Sequence, residues 1–99
     1  MPYTRIYIAG KPGGEDEMRV KEAACRKVAG HFVSMVHKDV DARDQGDELS
    51  YGLRQAIKLL QPGDELLAFS WADFGRSARR MVKLAAAVEG HGATYRTAI

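Results

Sequence analysis

Gly63 to Ser77, GDELLAFSWADFGRS, holds a turn, a short apolar run and the start of a helix. Pro62-Gly63-Asp64 has turn composition, and Glu65 to Phe69 (ELLAF) is an apolar run of strand length. Ser77 stands where a helix N-cap belongs, ahead of apolar residues at helical spacing. The stretch therefore predicts a buried strand that ends in a loop and feeds a helix.

The same logic extends in both directions. Upstream, Leu53, Ile57 and Leu60 recur at helical spacing, which predicts a helix from about Leu49 to Leu60 that stops before Pro62-Gly63. Downstream, a helix is expected over Ser77 to Glu89, with Ala78, Met81, Val82, Ala85 and Val88 facing inward and Gly90 or Gly92 ending it. Thr94 to Ile99 (TYRTAI) reads as a last strand.

At the other end, Thr4 to Ala9 (TRIYIA) reads as a buried central strand. The loop Gly10 to Gly14 (GKPGG) leads into Glu15-Asp16-Glu17, acidic residues that oppose the dipole of a starting helix. That helix is expected to run to about Gly30 and to bury Val20, Ala24 and Val28. His31 to Val36 (HFVSMV) is the second expected strand, and His37 to Glu48 a polar, acidic surface loop. Strands alternating with helices predict an α/β domain: three layers, α/β/α, around a mainly parallel four-stranded sheet.

The chain has 99 residues, enough for one domain with one core, and no repeat, linker or low-complexity tract divides it. Apolar residues make up 45% and charged residues 28%, which excludes wholesale disorder. A net charge of +2 makes no bulk argument for a nucleic-acid partner, so the distribution of charge matters more than its sum. Cys25 is alone and cannot form an internal disulfide, and no apolar run approaches the roughly 20 residues that span a bilayer. MPYTRIYIAG reads as a strand and not as a leader, so a reducing, cytoplasmic setting without a membrane partner is expected.

In an open parallel sheet, ligands gather beyond the C-terminal ends of the strands, here the loops after Ala9, Val36 and Phe69. Gly10, Lys11, Gly13 and Gly14 could offer backbone N–H groups and an ammonium to an anion, although the loop lacks a Walker A pattern and so loose a glycine-rich loop is more often a turn. Arg76, Arg79, Arg80 and Lys83 form the one compact basic cluster, a candidate phosphate or DNA contact whose plainer reading is a solvated helix surface. Trp71 and Phe74 could stack on a base or pack the loop. His31, His37, His91 and Cys25 lack metal-ligand spacing, so neither metal nor cofactor is expected.

Taken together, Gly52-Leu53, Pro62-Gly63-Asp64 and Gly75-Arg76-Ser77, within GLRQAIKLLQPGDELLAFSWADFGRSARRMVKLAAAVEGHGATYRT, resemble the second half of the catalytic domain of the serine recombinases, the resolvase and invertase family. With TRIYIA as first strand the resemblance covers most of the chain and implies the same α/β fold. In that family a serine just after the first strand attacks a DNA phosphate, and arginines stabilise the phosphoryl charge. The pattern Tyr-x-Arg-Val-Ser falls on Tyr7-Ile8-Ala9-Gly10-Lys11, so an alanine replaces the first arginine and Lys11 the nucleophile. No serine or threonine occurs between Tyr7 and Phe32. Asp-Arg-Leu-Gly-Arg-Ser falls on Ala72 to Ser77 and keeps only its second arginine, Arg76, while a third arginine falls on Ser50 or Tyr51.

Cleavage needs both an activated nucleophile and positioned positive charge. The resemblance therefore implies a non-catalytic domain that acts by association, with DNA, with another copy of itself or with an active recombinase. A second resemblance, of TRIYIAGKPGG to the opening of nucleoside deoxyribosyltransferase-like proteins, implies instead a nucleotide- or nucleoside-binding domain that uses the GKPGG loop. In that case Lys11 replaces a proline, and Met81-Val82-Lys83 occupies the region of the family's nucleophilic glutamate.

Overall fold

The computed structural model describes residues 2–30, 32–40, 48–75 and 77–99. The elements run β1 (Thr4–Gly10), α1 (Glu15–Ala29), β2 (Val33–Val40), α2 (Tyr51–Lys58), β3 (Glu65–Ala68), α3 (Trp71–Phe74), α4 (Ala78–Gly90) and β4 (Thr94–Thr97). The four strands lie in the order β2-β1-β3-β4, and every pairing is parallel. The expected three-layer α/β architecture is present. The chain moves outward from β1 to β2, then crosses back to β3, so the direction of winding reverses between β1 and β3.

Alternation along the strands divides the core in two. Ile6, Ile8 and Leu67 pack with Met18 and Cys25 of α1 on one side of the sheet. Tyr7, Leu66 and Ala68 pack on the other side with Leu53, Ala56 and Ile57 of α2, Phe74 of α3, and Leu84 and Val88 of α4. One helix thus covers one face and the remaining helices the opposite face.

The turn before β3 shows why its sequence is so particular. Asp64 N–H donates to the Gln61 carbonyl at 2.9 Å, and Gly63 takes φ +89°, the left-handed position of a type II turn. The buried Asp64 carboxylate accepts from Tyr3 N–H and Gln61 N–H, each at 2.9 Å, and so ties this turn to the approach of β1. At the start of α4, Ser77 Oγ accepts from Arg80 N–H at 3.1 Å, the expected N-cap.

Four expectations need correction. Strand β2 does not end at Val36: His37 to Val40 continue the ladder against Tyr7 to Gly10, so the residues read as the start of a loop are strand. His31 and Asp41 to Asp47 lie outside the described residues. In α1 the buried residues are Met18 and Cys25, whereas Val20 and Val28 are exposed. In α4, Leu84 and Val88 are buried, while Val82 is 69% exposed. A one-turn helix, α3, also stands where a loop was expected.

Candidate functional site

The C-terminal edge of the sheet, at the reversal between β1 and β3, is where this topology opens a crevice. The first segment there is the glycine-rich loop. Gly14 N–H donates to the Lys11 carbonyl at 2.9 Å and Gly13 has φ +82°, so Lys11-Pro12-Gly13-Gly14 closes as a type II turn. Glu15, Asp16 and Glu17 fill the first turn of α1 directly behind it. Gly14 N–H is therefore already used, and three carboxylates oppose any anion approaching that helix end.

The crevice itself holds an ion pair. Lys21, on α1, donates to Asp73 Oδ1 at 2.7 Å and to the Ala9 carbonyl at 3.1 Å. Both side chains are largely buried, 14% exposed for Lys21 and 6% for Asp73. The other carboxylate oxygen of Asp73 accepts from Ser70 N–H at 3.0 Å and Ser70 Oγ–H at 2.9 Å. One carboxylate thus closes the start of α3 and neutralises the lysine.

Beside it lies a second polar network. Tyr7, buried on β1, donates its phenol proton to Asp39 Oδ2 at 2.7 Å, and the Ser50 hydroxyl lies 2.8 Å from the phenol oxygen. With the phenol proton directed to Asp39, Ser50 is the donor to Tyr7. Gly52 N–H, in the first turn of α2, donates to both oxygens of Asp39 at 2.9 and 3.0 Å. Burial, more than any bond, pushes the Tyr7 phenol far above its ordinary pKa.

The basic residues divide. Arg79 and Lys83 are exposed on α4, whereas the Arg80 stem folds over Gly75, where an added Cβ would come within 2.7 Å of Arg80 Cδ. Arg76 lies outside the described residues. Arg79, Lys83, Ala78 and Val82 line an open depression of about 440 Å³. Lys83 Nζ reaches Glu48, just ahead of α2, at 2.9 Å. Lys83 thereby meets the approach of α2, whose cations Arg54 and Lys58 the sequence motifs did not single out, because they stand isolated in the chain.

Trp71 stands edge-on to Tyr95, with ring centroids 6.1 Å apart, and tilted against Phe74 at 6.0 Å. Phe74 is buried and packs the core, while Trp71 is 51% exposed. The side chain of His37 meets Arg5, which donates to its Nε2 at 3.3 Å; burial and then the guanidinium lower the imidazole pKa. Among the described residues no group of histidine, cysteine and carboxylate side chains is arranged to hold a metal ion, and no helix is long and apolar enough to cross a membrane. Compared with known proteins, the chain matches no family model and no curated protein sequence.

Proposed function

We propose that the chain is a non-catalytic relative of the serine recombinases that binds DNA phosphates through the helix layer formed by α2 and α4. The observation that carries this reading is the charge of that layer. The two helices bring Arg54, Lys58, Arg79, Arg80 and Lys83 to one side of the sheet against a single helical carboxylate, Glu89. On the opposite side, α1 balances Arg19, Lys21, Arg26 and Lys27 with Glu15, Asp16, Glu17 and Glu22.

The polar groups at the sheet edge favour a non-catalytic role. Ala9, Gly10 and Lys11 offer no hydroxyl at the end of β1. Ser70 gives its proton to Asp73, and the largely buried ammonium of Lys21 is neutralised by the same residue. An activated nucleophile next to uncompensated positive charge, the arrangement phosphoryl transfer requires, is not assembled from these groups.

Fluorescence polarisation with a labelled duplex at several salt concentrations tests the binding. Affinity should fall with salt, and replacing Arg54, Lys58 and Lys83 by alanine should lower the slope by about one for each phosphate no longer neutralised. Salt-independent affinity, or a triple variant that binds like the parent, would refute the DNA-binding surface. A covalent protein–DNA adduct formed on supercoiled DNA would refute the non-catalytic assignment.

A further inference from the structure

Two exposed aromatic rings and an exposed, paired carboxylate mark the end of this helix layer where its helices begin. Tyr51 is 64% and Trp71 51% exposed, and each is the first residue of its helix, α2 and α3. Those helices begin where β2 and β3 have ended, so both rings sit at the C-terminal edge of the sheet. Tyr51 has the Arg54 guanidinium 6.0 Å from its ring centre, and Trp71 is steadied by Tyr95 and Phe74. The Lys83–Glu48 contact joins α4 to the approach of α2, three residues ahead of Tyr51. Lys83, with a smaller contribution from Arg54, holds the Glu48 carboxyl below the usual carboxylate range. An exposed anion is therefore already held where cations from two helices converge.

We propose that this end of the layer binds single-stranded nucleic acid, with bases stacking on Tyr51 and Trp71, phosphates at Arg54, Arg79 and Lys83, and Glu48 standing in for one phosphate when the site is empty. The inference rests on the reading of the helix layer as a nucleic-acid surface and adds the kind of strand it takes. A duplex keeps its bases stacked inside, so exposed rings among cations gain little from it, whereas an unpaired strand offers both base faces and phosphates. Arg79 and Lys83, with Ala78 and Val82, line an open depression on α4 that leaves both cations within reach of a strand lying across the helix. Glu48 competes with the incoming phosphate, and its displacement costs little because the Lys83–Glu48 pair is exposed.

The test compares a labelled oligothymidine of about 15 nucleotides with a duplex of equal length in polarisation titrations, a length that spans a typical single-strand site. Trp71 is the chain's single tryptophan, so its emission reports stacking directly. The single strand should bind more tightly and quench that emission. Tyr51→Ala and Trp71→Ala should each weaken binding about tenfold. Glu48→Gln should tighten it about threefold. Equal or tighter duplex binding with unchanged emission overturns the single-strand proposal and leaves the DNA-binding function intact. Unchanged or weaker binding by Glu48→Gln overturns the assignment of Glu48, and failure to bind either nucleic acid overturns both proposals.

Discussion

The Tyr7 phenol donates to Asp39 at 2.7 Å, and the same carboxylate accepts from Gly52 N–H through both of its oxygens, so one acid fastens β1, β2 and the first turn of α2. Tyr7→Phe removes the donor and leaves the Ser50 hydroxyl without its acceptor. The cost should be about 1–3 kcal/mol, read as a lower urea midpoint with an unchanged m-value. A Tyr7→Phe variant as stable as the parent would show that the network contributes nothing.

Alkaline pH should weaken the fold. Burial raises the Tyr7 phenol well above its ordinary value, and it raises the Cys25 thiol from 9.0 to about 11. Both groups keep their protons in the folded chain at pH values where the unfolded chain has lost them. Their contribution is therefore complete below about pH 9 and is lost as pH rises through the folded values. Urea midpoints should fall above that pH, and Cys25→Ala should fall less steeply. A rise in stability over the same range would contradict this assignment.

Lys21→Met strands the Asp73 carboxylate in a site where it is 6% exposed. Breaking one partner of a buried pair costs about 3–5 kcal/mol, whereas removing both charges costs much less. Lys21→Met combined with Asp73→Asn should thus be more stable than Lys21→Met alone. Additive losses in that double-mutant cycle would count against coupling between the two residues.

Two glycines should differ in their tolerance of alanine. A Cβ on Gly52 would come within 2.7 Å of Oδ1 of the Asp39 carboxylate, which is held through Oδ2 by Tyr7 and through both oxygens by Gly52 N–H. A Cβ on Gly10 would come within 2.3 Å of Met18 Sδ, the flexible part of a side chain that can move. Gly52→Ala should cost about 1–3 kcal/mol by thermal denaturation and Gly10→Ala less. The reverse order would mean that the Asp39 network is the softer of the two.

The fold was legible where apolar runs and turn chemistry agreed. Thr4 to Ala9 lie in β1 and Glu65 to Ala68 form β3, the two central strands, and Pro62-Gly63 and Ser77 punctuate the chain as their chemistry requires. Helix faces were harder. In α1, Val20, Ala24 and Val28 have helical spacing, but so do Met18, Lys21, Cys25 and Ala29, and the second stripe is the one that packs. A charged residue hid that stripe, because Lys21 faces inward toward Asp73, 52 residues away, and the Ala9 carbonyl. In α4, alanines on several sides satisfy helical spacing equally well, so spacing alone does not single out Leu84 or turn Val82 outward. The polar character of His37, Lys38 and Asp39 masks the second half of β2, although an edge strand can carry such residues. The Tyr7–Asp39–Ser50 network was not legible, since the parallel register of β1 with β2 brings Asp39 to Tyr7, and the docking of α2 brings Ser50.

Asp73 has a consequence for the order in which the molecule becomes structured. Four residues cannot sustain a helical turn in water, so α3 exists through its tertiary ties. Its closing carboxylate is shared between Ser70, its immediate neighbour, and Lys21 on the far side of the sheet's crossover. The turn is therefore conditional on α1 having docked: protection of the Gly75 amide, which donates to the Trp71 carbonyl, should appear late in refolding and vanish early when α1 is loosened.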